Sequence, residues 1–255
     1  MKLNAFRPTA SLLLLMFLIA QAGFHATAQD NNAKSSSASS ATTGSVITDG
    51  TPPMELARAA FQAQGGEKLR AVKNMMLRGS VDLYAPNSTR SIPGGFVLVT
   101  AGDKVRLEVD ARPVFGFKQI FDGQQSYSSL PGVELPPASK FGMAVLNKFD
   151  QAGYTVSAIP NKKKLRGFRI SDTDGNITNF FIDPVTARVV SFLVLYGNYT
   201  FGTENKKFKE VEGVLIPSSF TQRLETPQGA FFADFTAKDI RLNQEFGDNV
   251  FTIPN

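Results

Sequence analysis

The chain has 255 residues, no cysteine and no tryptophan, and a single histidine, His25. That histidine lies in a segment that reads as a removable leader. Lys2 and Arg7 give a positive start, Leu12 to Ala20 is an apolar run too short to span a bilayer, and Ala26-Thr27-Ala28 is a small-residue cleavage site. Residues 1–28 are therefore expected to be a signal peptide cleaved after Ala28, leaving Gln29 first; a permanent anchor is the other reading, and the short run speaks against it. There is no twin arginine, and no cysteine follows the run for lipid attachment.

The processed chain then has no His, Cys or Trp. A Ser-His-Asp triad and a Cys-His pair are excluded. Zinc, copper and haem sites that rely on His or Cys are excluded too. No disulfide can staple the fold, although an exported protein could carry one, so the core must hold by itself. Loss of Lys2 and Arg7 takes 27 basic residues to 25, against 22 acidic ones, a formal charge of +3. That balance is too small for a nucleic-acid footprint. The remaining enzyme candidates are carboxylate pairs or a Ser-Lys pair. Asp172 and Asp174 sit in a hairpin, Glu210 and Glu212 flank a turn, and Asp103, Asp110 and Asp122 lack calcium-loop spacing. No catalysis, metal or cofactor is expected.

Gln29 to Gly50 is rich in Ser, Ala, Thr and Asn, too polar to offset the cost of ordering, and is expected to be a disordered linker, either a spacer or a slack terminus. Residues 51–255 read as one domain. Thr51 and Pro52 are placed to open a helix carrying Leu56, Ala60 and Ala63, which Gly65-Gly66 ends. A short turn with Leu69 and Val72 follows.

The period then switches to two. Met75, Leu77, Gly79, Val81 and Leu83 share one face of a strand. Val105, Leu107 and Val109 alternate with Lys104, Arg106, Glu108 and Asp110, the clearest inward face in the chain. Phe117 to Phe121 is another strand, with Tyr127 on its partner. Phe168 to Tyr199 reads as three antiparallel strands. If Asp174-Gly175 are the central residues of a type I′ turn, Phe168 faces Phe181, Ile170 faces Asn179, and Arg169 faces Phe180. Asp183-Pro184-Val185-Thr186 is a second turn. Asn161-Lys162-Lys163-Lys164 reads as a hairpin tip, either a solvated, aggregation-blocking turn or a contact for anionic headgroups.

One stretch interrupts the strands. Phe141, Val145 and Phe149 stand four apart, with Leu146 widening the stripe, so a short amphipathic helix is expected despite Gly142. It reads as a cover on the open side of a sheet, a movable lid, or both. The whole chain has 22 phenylalanines. They either pack against the helices or line an apolar cavity.

The segments AFQAQGGEKLRAVKNMMLRGSVDL, DKVRLEVD, GVLIPSSF and IRLNQEFGDNVFTIP resemble the superfamily of periplasmic outer-membrane lipoprotein carriers and receptors of the Lol type, over residues 54–255. The resemblance implies a mainly β, α+β fold: an incomplete antiparallel β-barrel whose concave face is covered by short helices. It also implies a periplasmic carrier that holds lipid or lipoprotein acyl chains. The expected lining is Leu77, Val81, Val105, Leu107, Val109, Phe117, Phe121, Phe168, Ile170 and Phe181. Phe141, Val145, Leu146 and Phe149 would form the lid. The early Arg-Pro pair of the classical carriers is replaced by Ala101-Gly102, and Arg78 and Arg106 do not match it. A lipid sensor or adaptor that binds an envelope protein partner is the alternative. Transient contact with a membrane surface fits either role.

Overall fold

The computed structural model describes residues 47–129, 137–197, 199–226 and 229–254. The expected signal peptide and most of the expected linker lie outside the described residues. The linker's last residues join the domain: Ile47 packs on the core, and Asp49 pairs with Arg166 at 2.5 Å.

Helix α1 (Pro53–Ala63) starts at Pro52 without a side-chain cap. The Thr51 hydroxyl instead accepts the Thr48 N–H at 2.8 Å. Proline needs no partner for an amide it lacks, so the helix start tolerates the missing cap. Leu56, Ala57, Ala60 and Phe61 are its buried stripe. Gly65 and Gly66, both at positive φ, turn the chain into α2 (Glu67–Arg70).

Twelve strands follow: β1 (Asn74–Tyr84), β2 (Ile92–Ala101), β3 (Lys104–Ala111), β4 (Phe115–Phe121), β5 (Ser126–Ser128), β6 (Tyr154–Ala158), β7 (Arg166–Asp172), β8 (Ile177–Ile182), β9 (Val189–Tyr196), β10 (Tyr199–Val211), β11 (Val214–Thr226) and β12 (Gly229–Leu242). They form one antiparallel sheet in the order β5-β4-β3-β2-β1-β12-β11-β10-β9-β8-β7-β6. The sheet is not closed: β5 and β6 are its two edges. Every connection but one is a hairpin between neighbours. The exception, from β5 to β6, must travel from one edge of the curved sheet to the other, and it contains α3 (Met143–Leu146).

Three features bend and seal this sheet. At Arg78/Gly79 the β1–β12 ladder slips by one residue, a bulge that adds local twist. Pro217, which cannot donate to a ladder, stands where β11 has no β12 partner and opposite a register shift in β10. On the convex side of the first half, Val99 and Ile120 are buried. The C-terminal 3₁₀ turn Asp248–Phe251 packs there on β3, and Arg106 donates to the Val250 carbonyl at 2.7 Å.

The Asp174 hairpin differs from the expected register by one residue. Phe168 pairs with Phe180, Arg169 with Asn179, and Ile170 with Thr178. The cause is Asp172: its Oδ1 accepts the N–H groups of both Asp174 and Asn176. That makes a three-residue loop, 173–175, closed by Gly175 at φ +83. A one-residue slip exchanges the faces of one strand, so Phe181 is on the convex side, away from Phe168 and Ile170.

In the β8–β9 turn, Asp183 Oδ1 accepts the N–H groups of Val185 and Thr186, and Ala187 is held at φ +56. An L-residue with a Cβ is strained there. Ala187→Gly is expected to raise stability by about 1 kcal/mol, or roughly 2–4 °C in a melt of a domain this size. A lower melting temperature would refute that reading of the turn.

Candidate functional site: the concave face and its cover

Antiparallel partners share a face, so the register assembles the concave surface row by row. Leu77, Leu98, Leu107 and Gln119 form one row, and Met75, Thr100, Val105 and Phe121 the next. In the second half a row runs from Leu83 through Ala233, Gln222, Thr203, Phe192 and Phe180 to Phe168. Its phenylalanines stack, with centroids 5.1 Å apart for Phe168–Phe180 and 6.0 Å for Phe180–Phe192. A second cluster joins Phe220, Phe235 and Phe96 at the centre of the sheet.

Of the expected lining residues, Leu77, Val81, Val105, Leu107, Val109, Phe117, Phe168 and Ile170 are buried in this one core. Phe121 is half-buried, in the row of Val105 near the β5 edge. Phe181 is buried outside the core cluster, with the Lys162 ammonium 5.5 Å from its ring centre. Phe180, which the expected register placed outside, takes its place within.

Polar side chains interrupt the apolar surface, among them Thr203 in the row above and Thr178 beside Ile170. Thr100, Gln119 and Gln222 are each at most 5% exposed, and Thr100 Oγ1, Gln119 Oε1 and Gln222 Oε1 have no hydrogen-bond partner among the described residues. Such an atom costs about 1–3 kcal/mol when buried unpaired.

The crossing segment covers this face. It is not the amphipathic helix that its spacing suggested. Gly142, at φ +59, separates a 3₁₀ turn (Ala138–Lys140) from a single α-turn, α3. Folded compactly, Phe141, Met143, Val145, Leu146 and Phe149 are all buried. Phe141 meets Tyr196 edge-on at 5.8 Å and Phe149 meets Phe61 of α1 at 5.6 Å.

Polar contacts tie the cover to both halves of the sheet. Lys140 pairs with Asp174 at 2.5 Å in the β7–β8 turn, and Lys148 reaches Asp103 at 4.0 Å in the β2–β3 turn. The Gly142 N–H donates to the hydroxyl of Thr178 on the concave face at 3.0 Å. The hydrogen bond to Asp174 raises the Lys140 ammonium above its ordinary range. A raised lysine keeps its pairing through neutral pH and loses it only as pH rises through that higher value.

Arg70, at the end of α2, is the contact that sequence reading missed. Its Nε and Nη2 donate to the Asn147 carbonyl at 3.2 and 3.1 Å, and Nη2 also meets Asp150 at 2.8 Å. The guanidinium lies 4.4 Å from the ring centre of Phe61. Eighty residues separate Arg70 from Asp150, so no local pattern joins them. Arg78 belongs to the outward-facing set of β1, and Arg106 is bound to Glu108 and Val250 on the convex side.

Among the described residues no group of three His, Cys, Asp or Glu side chains could hold a metal, and no helix is long and apolar enough to cross a membrane.

No family model matches the sequence, and no curated protein matches it. Solved structures do. A LolA superfamily protein from Nitrosomonas europaea aligns over 80% of this chain and 98% of its own, with a TM-score of 0.53 at 10% identity. A DUF1329 family protein from Desulfovibrio piger covers 79% of this chain and 98% of its own, with a TM-score of 0.49 at 12% identity. An outer membrane lipoprotein-sorting protein domain from Vibrio parahaemolyticus covers 78% and 95%, with a TM-score of 0.44 at 12% identity. At these identities the likeness concerns the fold: the chain has the open, antiparallel LolA-like half-barrel, divergent in sequence.

Proposed function

We propose that this chain is an exported, periplasmic carrier that holds lipid or lipoprotein acyl chains against the concave face, beneath residues 137–153, and that it performs no catalysis. One observation carries this reading. Among the twelve strands, the one connection that is not a hairpin crosses from edge to edge over a largely apolar surface, and polar contacts with both halves hold it there. Water can replace the exposed ion pairs of Lys140 and Lys148, so a cover whose buried side chains leave the sheet is able to lift without unravelling the strands beneath it. The unpaired oxygens of Thr100, Gln119 and Gln222 give the same surface acceptors for a hydroxyl or amide near an acyl chain.

The test is native mass spectrometry of the protein purified from the envelope without detergent, followed by titration with a fluorescent fatty acid. Co-purified lipid and saturable binding are expected. Phe141→Ser, in the cover, is expected to change affinity and exchange rate more than stability. If the wild-type protein carries no lipid and binds no probe while Phe141→Ser unfolds, the cover is a fixed plug and the carrier reading fails.

A further inference from the structure

The convex side of the second half of the sheet is built differently from that of the first. Among the described residues no C-terminal segment seals it, and one register row places Leu193, Gly202, Arg223 and Phe232 side by side across four strands. Phe232 is 36% exposed, and Leu195, two residues along β9 from Leu193, is 48% exposed. Gly202 deepens the row: a Cβ there would come within 3.2 Å of the Leu193 side chain. The hairpin tip at Lys162–Leu165 borders this surface and completes a groove of about 580 Å³.

The lining of the groove is mainly basic, and the acidic Asp82 and Asp234 face each other in the row beside it. Lys162, Lys163 and Lys164 line it from the tip, and among the described residues none of the three makes an ion pair. Arg223 lines it from the sheet, where its guanidinium lies 5.6 Å from the ring centre of Phe232 and is paired with Glu225. Glu204 is the one acidic lining residue. Asp234, in the neighbouring row, is paired with Lys206. Lys163 holds φ +56 at the first central position of its turn, where glycine is the usual residue. A cation thus stands in the two-residue tip in a backbone conformation that disfavours it.

We infer that this groove docks the protein on an anionic bilayer: the lysines and Arg223 take phosphate-bearing headgroups, while Phe232 and Leu195 enter the interfacial layer. Basic residues beside apolar anchors suit that boundary, because the charges stay among headgroups and the apolar groups leave water. The surface lies on the opposite side of the sheet from the covered concave face, so docking and acyl-chain holding use separate residues. The inference does not rest on the carrier reading.

The test is co-flotation of the full processed chain with phosphatidylcholine vesicles, made with and without phosphatidylglycerol. Binding is expected only with the anionic lipid, and it should weaken as salt is raised. The variant Lys162→Gln/Lys163→Gly/Lys164→Gln should lose about a hundredfold in partitioning, about fivefold per lysine. Its fold should be at least as stable, since Lys163→Gly relieves the turn. Phe232→Ser should weaken binding while leaving the lipid charge preference in place. Fluorescent fatty acid binding should be unchanged in both variants, which separates this inference from the carrier reading. Equal flotation with neutral and anionic vesicles, or wild-type flotation of the triple variant, would overturn it. So would a dimer in solution that Phe232→Ser abolishes, because the groove would then be filled by a second copy.

Discussion

Gly79→Ala should remove most of the stability of the domain. A Cβ at this position would stand 1.9 Å from the carbonyl oxygen of Thr236 and 2.8 Å from its carbon. Both are backbone atoms of β12, at the bulge where β1 and β12 change register. No rotamer can relieve such a clash, so the two strands must part where the halves of the sheet meet. The expected loss is about 3–5 kcal/mol, the scale of a severe core disruption, read from urea or thermal unfolding. Gly95→Ala is the matched control. It lies in the adjoining strand, and its added Cβ would meet nothing nearer than the Gly79 carbonyl at 3.7 Å. That variant should stay within about 1 kcal/mol of wild type. Near-equal melting temperatures for the two variants would show that the bulge yields and that the β1–β12 junction is not the point of closure.

Arg70→Ala should open the cover. The side chain is 17% exposed and joins α2 to two residues of the crossing segment, Asn147 and Asp150. Its loss leaves the Asn147 carbonyl without these donors, in a residue only 1% exposed. Removing a charged donor from a buried acceptor costs about 1–3 kcal/mol. Because the bond holds the cover and not the sheet, that cost should appear as local opening. Amide hydrogen exchange over residues 141–149 is expected to speed up by about tenfold or more, while the strands under the cover keep their protection. Exchange of a bound fluorescent fatty acid should quicken in parallel. Arg70→Lys keeps the charge but loses the planar fork that reaches both partners, so it should fall between. Unchanged exchange in Arg70→Ala would assign the closure to the buried phenylalanines instead.

Much of the sheet was legible because water marks one side of each strand. In β3, charged residues alternate with Val105, Leu107 and Val109, and the same alternation appears in the burial of the folded strand. The Asp174 hairpin departs from the expected register by one residue because its loop length is decided by a carboxylate. Residue type alone cannot show whether Asp172 captures the amides of Asp174 and Asn176. The cover departs from its spacing for a different reason. Its apolar residues have helical spacing, but Gly142 reverses the backbone, so residues 141–147 are all buried and no exposed helical face remains. The site itself depends on strand order. Periodicity says which residues face inward on a strand, but not that the fifth and sixth strands are opposite edges of one sheet. Only that order sends residues 137–153 across the open face and brings them to Arg70.

The pairing of the first strand with the last also governs how the molecule is made. β1 emerges early in synthesis, yet one of its two neighbours, β12, is the final strand, with Met75 opposite Leu242. The hairpins from β1 to β5 and from β6 to β12 are local and can form in any order. Their union pairs residues as far apart as Met75 and Leu242, and contacts of such separation make folding slow, on the order of milliseconds to seconds. Until then β1 has a bare edge, with Met75, Leu77 and Val81 beside it on an uncovered face. A chain arriving vectorially on the far side of a membrane would pass through this state each time. The interval before β12 arrives is therefore the period of greatest exposure to aggregation and proteolysis.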